Sequence, residues 1–121
     1  MEVLLDTNFI ISCLKKKIDF ISQLEELGFK VLLPREVYQE LKDIRERVPS
    51  GDRGLVDVAL NIFNNKKVKK MTVGGRNVDD GLILKGKEGY YIATLDGAIK
   101  RIVPNTIIIN TAGNRIMIVR K

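Results

Sequence analysis

Short, wholly apolar runs alternate along this chain with stretches whose apolar residues recur every three or four positions. Glu2 to Leu5 reads as a short buried strand, and Asn8 to Leu14 as the helix after it. Lys15-Lys16-Lys17 is a solvated break. Ile18 to Leu27 repeats apolar residues at helical spacing (Phe20, Leu24, Leu27), and Gly28 supplies a C-terminal cap. Phe29 to Leu33 is the second strand. Pro34 opens the next helix, where a missing N–H costs least, and its stripe is Val37, Leu41, Ile44 and Val48. Pro49-Ser50-Gly51-Asp52 reads as a loop, and the helix after it buries Val56, Ala59, Leu60 and Phe63. Val68 to Met71 is a third strand. A glycine-bearing loop, Thr72 to Asn77, leads to a helix capped by Asp79 or Asp80. Tyr90 to Thr94 is a strand, Ala98 to Ile102 a helix stopped by Pro104, and Ile107 to Ile109 a strand. A turn at Thr111 to Asn114 precedes a last strand, Ile116 to Val119. Strands alternating with helices imply right-handed crossovers and an α/β fold. The expected form is a three-layer α/β/α sandwich with a mostly parallel central sheet, and the tail adds an antiparallel edge hairpin.

Composition narrows the chemistry. At 121 residues the chain is long enough for one domain with its own core, and no linker or repeat divides it. It contains no histidine, which excludes a histidine general base, a histidine-bearing triad and a histidine-ligated zinc. One cysteine excludes an intramolecular disulfide and a cysteine zinc cage. Cys13 lies in an apolar run and reads as core packing. The net charge of +6 favours a polyanionic partner. Asp6 interrupts the opening apolar run too early for a signal peptide, and no apolar stretch approaches a membrane span. The expected address is the cytoplasm.

The remaining signal is acidic. Asp6 follows the first strand and Asp96 the Tyr90–Thr94 strand. Asp80 begins a helix after the loop leaving the third strand. Glu40 lies in the helix leaving the second strand, beside its buried stripe. In an open α/β sheet, sites form beyond the carboxyl ends of the strands, so these four fall toward one edge. Each also has an ordinary reading: a turn or cap for Asp6, Asp79, Asp80 and Asp96, a solvated position for Glu40, a helix-start charge for Glu36. Four together, without cations close by in sequence, are costly unless a metal neutralises them.

In this order the segments resemble a PIN-domain ribonuclease. Asp6-Thr7-Asn8 is similar to the family's opening triplet. Pro34, Val37, Glu40 and Leu41 fit its proline-initiated PxxVxxEL helix, which selects Glu40 over Glu36. Asp80 and Ile83 fit a D-x-x-I helix start, with Asp79 displaced by one. Thr94-Leu95-Asp96 supplies the last acid. The resemblance runs from about Val3 to Ile109 and is nearest to compact archaeal-type proteins similar to those that process ribosomal RNA. Gly81 and Gly86 depart from it, standing where helix formers are usual. Each costs about 1 kcal/mol against alanine, which predicts a short or mobile helix.

The resemblance implies one PIN-like domain over residues 1–121 that hydrolyses RNA phosphodiester bonds with Mg²⁺ or Mn²⁺. Asp6, Glu40, Asp80 and Asp96 would be the catalytic and metal-binding acids, with Asn8 and Thr94 as supporting hydrogen-bonding groups. Two ions roughly 3.5–4 Å apart could stabilise the attacking and leaving oxygens. RNA is expected against Arg45, Arg47, Arg53 and Arg76, while Lys66 and Lys67 are expected away from the acids. Two other roles stay open: a toxin ribonuclease with an antitoxin partner, and a non-catalytic module binding RNA or a ribosome-assembly partner. Oligomeric state, including a homodimer, is also open.

Overall fold

The computed structural model describes residues 1–49, 53–65 and 68–121. Among these, the strands are β1 (Glu2–Leu5), β2 (Lys30–Pro34), β3 (Lys69–Met71), β4 (Tyr91–Ala93), β5 (Asn105–Asn110) and β6 (Arg115–Arg120). The helices are α1 (Thr7–Lys15), α2 (Phe20–Glu26), α3 (Arg35–Arg47), α4 (Arg53–Asn65), α5 (Val78–Lys87) and α6 (Gly97–Ile102). Ser50 to Asp52, in the expected loop, and the Lys66-Lys67 pair lie outside the described residues.

Most boundaries follow from local chemistry. The Asp19 side chain accepts a hydrogen bond from the Ser22 amide, so α2 starts at Phe20 and not at Ile18. Gly28 ends that segment at φ +89°, a conformation few side chains tolerate. One expectation is corrected. Neither Asp79 nor Asp80 caps α5. Asn77 does, accepting the Asp80 amide at 2.9 Å, because its side chain closes an Asx-type turn just before the helix. The helix therefore begins at Val78 and carries both aspartates inside its first turn.

The strand order is β3-β2-β1-β4-β5-β6. All pairs are parallel except the closing β5–β6 hairpin, so the mostly parallel sheet with an antiparallel edge is present as expected. Successive strand residues feed opposite faces. Val3, Leu5, Val31, Leu33 and Ala93 join residues of α1, α2, α3 and α4 in one core. Leu4, Leu32 and Ile92 pack on Leu82 of α5 and Ile99 of α6 in the other. Both faces are covered, which is why these strands read as unbroken apolar runs. Cys13 is fully buried in the larger core, and burial pushes its thiol up to about 12, so it is inert packing. Among the described residues, no helix is long and apolar enough to cross a membrane.

The glycines of α5 have a packing reason. The helix runs its full ten residues, Val78–Lys87, so the expectation of a short helix is not met. A Cβ on Gly86 would stand 2.4 Å from Val103 Cγ1 and 3.3 Å from Ile92 Cγ1. One on Gly81 would stand 2.4 Å from the Gly74 carbonyl oxygen. Overlap of this kind costs about 1–3 kcal/mol, more than the helix propensity that alanine would return. Close approach to the sheet and to the preceding loop selects glycine here.

Candidate active site

Strand order reverses between β1 and β4. From β1 the chain winds outward through β2 and β3, then crosses back to β4 on the other side. Loops leaving two neighbouring strands thus diverge to opposite faces and leave a crevice beyond their carboxyl ends. Asp6 and Asp96 follow those two strands. The Asp6 amide donates to the Ala93 carbonyl at 2.9 Å, locking the ends together.

Two threonines tie the acids into one line. Thr94, fully buried, donates its hydroxyl to Asp6 Oδ2 at 2.7 Å and accepts the Asp96 amide at 3.1 Å. On the other side, the Thr7 amide donates to Asp6 Oδ1 at 2.8 Å, while the Thr7 hydroxyl donates to Glu40 Oε2 at 3.0 Å. The line runs Glu40, Thr7, Asp6, Thr94, Asp96 across the crevice. Asp96 also caps α6, accepting from the Ala98 amide at 2.8 Å, so the turn reading and the site reading are both true of it.

The aspartate of α5 that faces Glu40 is Asp79, where the expectation had placed Asp80. Asp79, Glu40, Asn77 and Val78 wall an open pocket of about 350 Å³. Asp80 turns aside to Arg76, accepting its backbone amide at 3.2 Å and its Nε at 3.4 Å. Consecutive helical residues point about 100° apart, so a helix start at Val78 sends one aspartate to the pocket and the next away from it.

Charge follows the geometry. Burial drives the Asp6 carboxyl above its usual range; hydrogen bonds from Thr94 and Thr7 oppose this, and the charges of Asp79 and Asp96 reinforce it. Glu40 is raised first by burial, against its bond from Thr7, and then by Asp6, Asp79 and Asp43. Asp80 is lowered, chiefly by the Arg76 amide and then by the Arg76 guanidinium. The four converging acids repel one another, whereas Asp80 is satisfied by its arginine.

Hard carboxylate oxygens suit a divalent cation such as Mg²⁺. Glu40 Oε1, Asp96 Oδ2 and the Asp79 carboxylate make no hydrogen bond among the described residues, leaving oxygens that can turn to an ion. Among those residues no three acidic or thiol groups close directly around a common point. A divalent ion here would have to be held partly through water, as protein-bound Mg²⁺ commonly is.

Other expected residues are placed as follows. Asn8 is exposed and lines a groove of about 500 Å³ with Thr7, Ile11, Ile44 and Leu55. Thr7, not Asn8, is the member of the opening triplet that contacts a second acid. Arg45 is engaged with Asp57, Arg47 with the Asp43 carbonyl and Arg53 with the Val48 carbonyl, all near the far end of α3. Arg76 is engaged with Asp80 and is otherwise exposed. Glu36 lies outside it, as expected, but sequence reasoning missed its partners. Its carboxylate accepts the Val73 amide at 3.2 Å and the Gly74 amide at 3.0 Å.

Residues 3–112 match the family model of the PIN-like domain, and the chain belongs to that family. Two solved structures are similar. The PIN domain endonuclease Utp24 superposes with a TM-score of 0.75 at 22% identity, over 99% of this chain and 92% of that one. VapBC2 from Rickettsia felis, bound to a DNA fragment from its promoter, gives 0.56 at 16% identity over 84% and 93%. No curated protein sequence matches the chain.

Proposed function

We propose that the chain is a metal-dependent endoribonuclease, with Asp6, Glu40, Asp79 and Asp96 as its acids. The observation that carries this reading is the line from Glu40 through Thr7, Asp6 and Thr94 to Asp96, laid across the sheet's switch point with Asp79 opposite. Carboxylates gathered this way destabilise the fold without a cation, and among the described residues no cationic side chain is bonded to them. That is the arrangement expected of a metal site rather than an ion-pair network.

When bound, Mg²⁺ or Mn²⁺ would lower the pKa of water and draw charge from a phosphate oxygen. The protein's share is positioning. Asp6, fixed by two hydrogen bonds at the floor of the crevice, and Asp96, fixed by the start of α6, would hold the ion. Glu40 and Asp79, at the open pocket, would complete the ion's hold through its bound water and orient one such water for attack on phosphorus. Thr7 and Thr94 keep Glu40 and Asp6 from rotating away. The groove beginning at Thr7 and Asn8 offers the RNA a path toward Lys15. The membership in the PIN-like family and the endonuclease among its structural likenesses support the same reading. A processing enzyme and a toxin would share this chemistry and differ in partner.

An end-labelled single-stranded RNA incubated with the protein should be cut when Mg²⁺ or Mn²⁺ is present and left intact in excess chelator. Because water and not the 2′-hydroxyl is the nucleophile, the products should carry no 2′,3′-cyclic phosphate. Intact RNA that nonetheless binds would assign the chain to the non-catalytic modules instead.

A further inference from the structure

Asp79 reaches the cluster from a segment whose placement depends on an acid outside it. The loop before α5 carries Val73, Gly74 and Gly75, both glycines at φ +77°. Glu36, in the first turn of α3, accepts hydrogen bonds from the Val73 and Gly74 amides. That loop in turn sits directly on the start of α5. A Cβ on Gly75 would meet the Gly81 nitrogen at 2.7 Å, and one on Gly81 would meet the Gly74 carbonyl oxygen and a Val73 methyl. Close contact is continuous from the Glu36 carboxylate through the backbone of residues 73–75 to Gly81, two residues beyond Asp79.

The same helix delivers Glu40. Positions four apart lie on one helical face, so Glu36 and Glu40 stand one above the other on α3. Glu40 enters the cluster through Thr7, and Glu36 grips the loop that brings in Asp79. The Glu36 carboxylate is partly buried, which raises its pKa, yet the Gly74 amide, its own amide, the Val73 amide and the Arg35 charge together outweigh this and hold it below the usual range. It is therefore a charged acceptor under ordinary conditions, the strong form of such a bond.

We infer that Glu36 is a positioning residue: it latches the 73–75 loop to α3 and so sets Asp79 at the distance from Glu40 that the site requires. The inference rests on the proposed nuclease reading for its kinetic consequence, but not for the latch itself. The groove proposed for RNA, from Thr7 and Asn8 to Lys15, is not lined by residues 73–75, so the latch should act on metal and turnover and leave RNA affinity alone.

The test compares Glu36→Ala and Glu36→Gln with wild type in three measurements: Mn²⁺ affinity by calorimetry, kcat and KM on a single-stranded RNA, and NMR contacts between residues 73–75 and Gly81. Glu36→Ala should lose those contacts and weaken Mn²⁺ binding by about 10- to 100-fold. Its kcat should fall by a similar factor with KM within about twofold, as for misplacement of a catalytic group. Glu36→Gln still offers a carbonyl oxygen to the two amides, so it should restore the contacts and the greater part of kcat. An alanine variant that keeps the contacts, or that keeps wild-type kcat and Mn²⁺ affinity, overturns the inference. If the wild type itself neither binds Mn²⁺ nor cuts RNA, the proposed function falls, and the NMR contacts in the two variants alone decide the latch.

Discussion

Replacing Asp79 with asparagine should abolish RNA cleavage, and replacing Asp80 should not. The two residues are adjacent and share the first turn of α5, so composition and propensity hardly distinguish them. Geometry does. Asp79 walls the pocket with Glu40 and raises the pKa of both Glu40 and Asp6, whereas Asp80 is bonded to Arg76. Altering groups that merely support a metal ligand costs about 10- to 100-fold, so loss of the acid itself should reduce kcat by at least about a hundredfold. Asp80→Asn keeps one oxygen for the Arg76 amide and should hold kcat within about threefold of wild type, in the ordinary range of surface changes. Single-turnover rates on one labelled RNA at saturating Mg²⁺ measure both. Equal losses would mean that both carboxylates act, and loss confined to Asp80 would mean that α5 starts one residue away from where it is described.

Mn²⁺ should stabilise the wild type strongly, and more strongly at neutral than at acid pH. Asp6 and Glu40 have folded-state pKa values above their unfolded ones. Such groups leave the metal-free fold most stable at low pH. Their stability is lost as pH rises from the unfolded carboxylate value, near 4, through the raised folded values. A bound cation removes that penalty because it favours the ionised forms. Binding to the folded state alone adds roughly 2.7 kcal/mol at one hundred times the dissociation constant. For a domain of this size that is a rise in Tm of about 10 °C. Asp79→Asn should melt at or above the wild-type temperature without metal, since one repelling charge is gone, and should gain little from Mn²⁺. Thermal melts at pH 5 and pH 7, each with and without Mn²⁺, are sufficient. A wild type indifferent to Mn²⁺ at both pH values would remove the metal from the account.

The parts of this site that can be read in the sequence are those set by local pattern. Asp6 and Asp96 follow apolar runs that can only be buried strands, and Glu40 sits in a proline-started helix with an unambiguous stripe, so all three fall on one sheet edge. The choice between Asp79 and Asp80 turns on a single residue of helix register. That register is set by Asn77, which sequence reasoning placed in the loop without giving it the cap. The alternation of strands and helices yields the sandwich and its edge hairpin, because each covered strand must be apolar throughout. Contacts between residues distant in sequence leave no such trace. Glu36 meets an amide 37 positions on, and nothing near it marks that bond. Gly81 and Gly86 look like helix breakers until Gly74 and Val103 are seen against them. Thr7 had a usable signal, a hydroxyl between an acid and a helix, though its reach to Glu40 needs the packing of α3 to be known.

The central claim is that Asp6, Glu40, Asp79 and Asp96 together hold one hard cation. Paramagnetic broadening by Mn²⁺, titrated substoichiometrically into isotopically labelled protein, reads this most directly. Signals of residues 6, 40, 79 and 96 and of Thr7 and Thr94 should fade first and together. Those of Glu2 and Glu88, at the opposite end of the sheet, should persist, and Asp79→Asn should preserve the signals of residues 6, 40 and 96 at the same Mn²⁺ level. Broadening centred on Glu2 or Glu88, or none that depends on Asp79, would contradict the account.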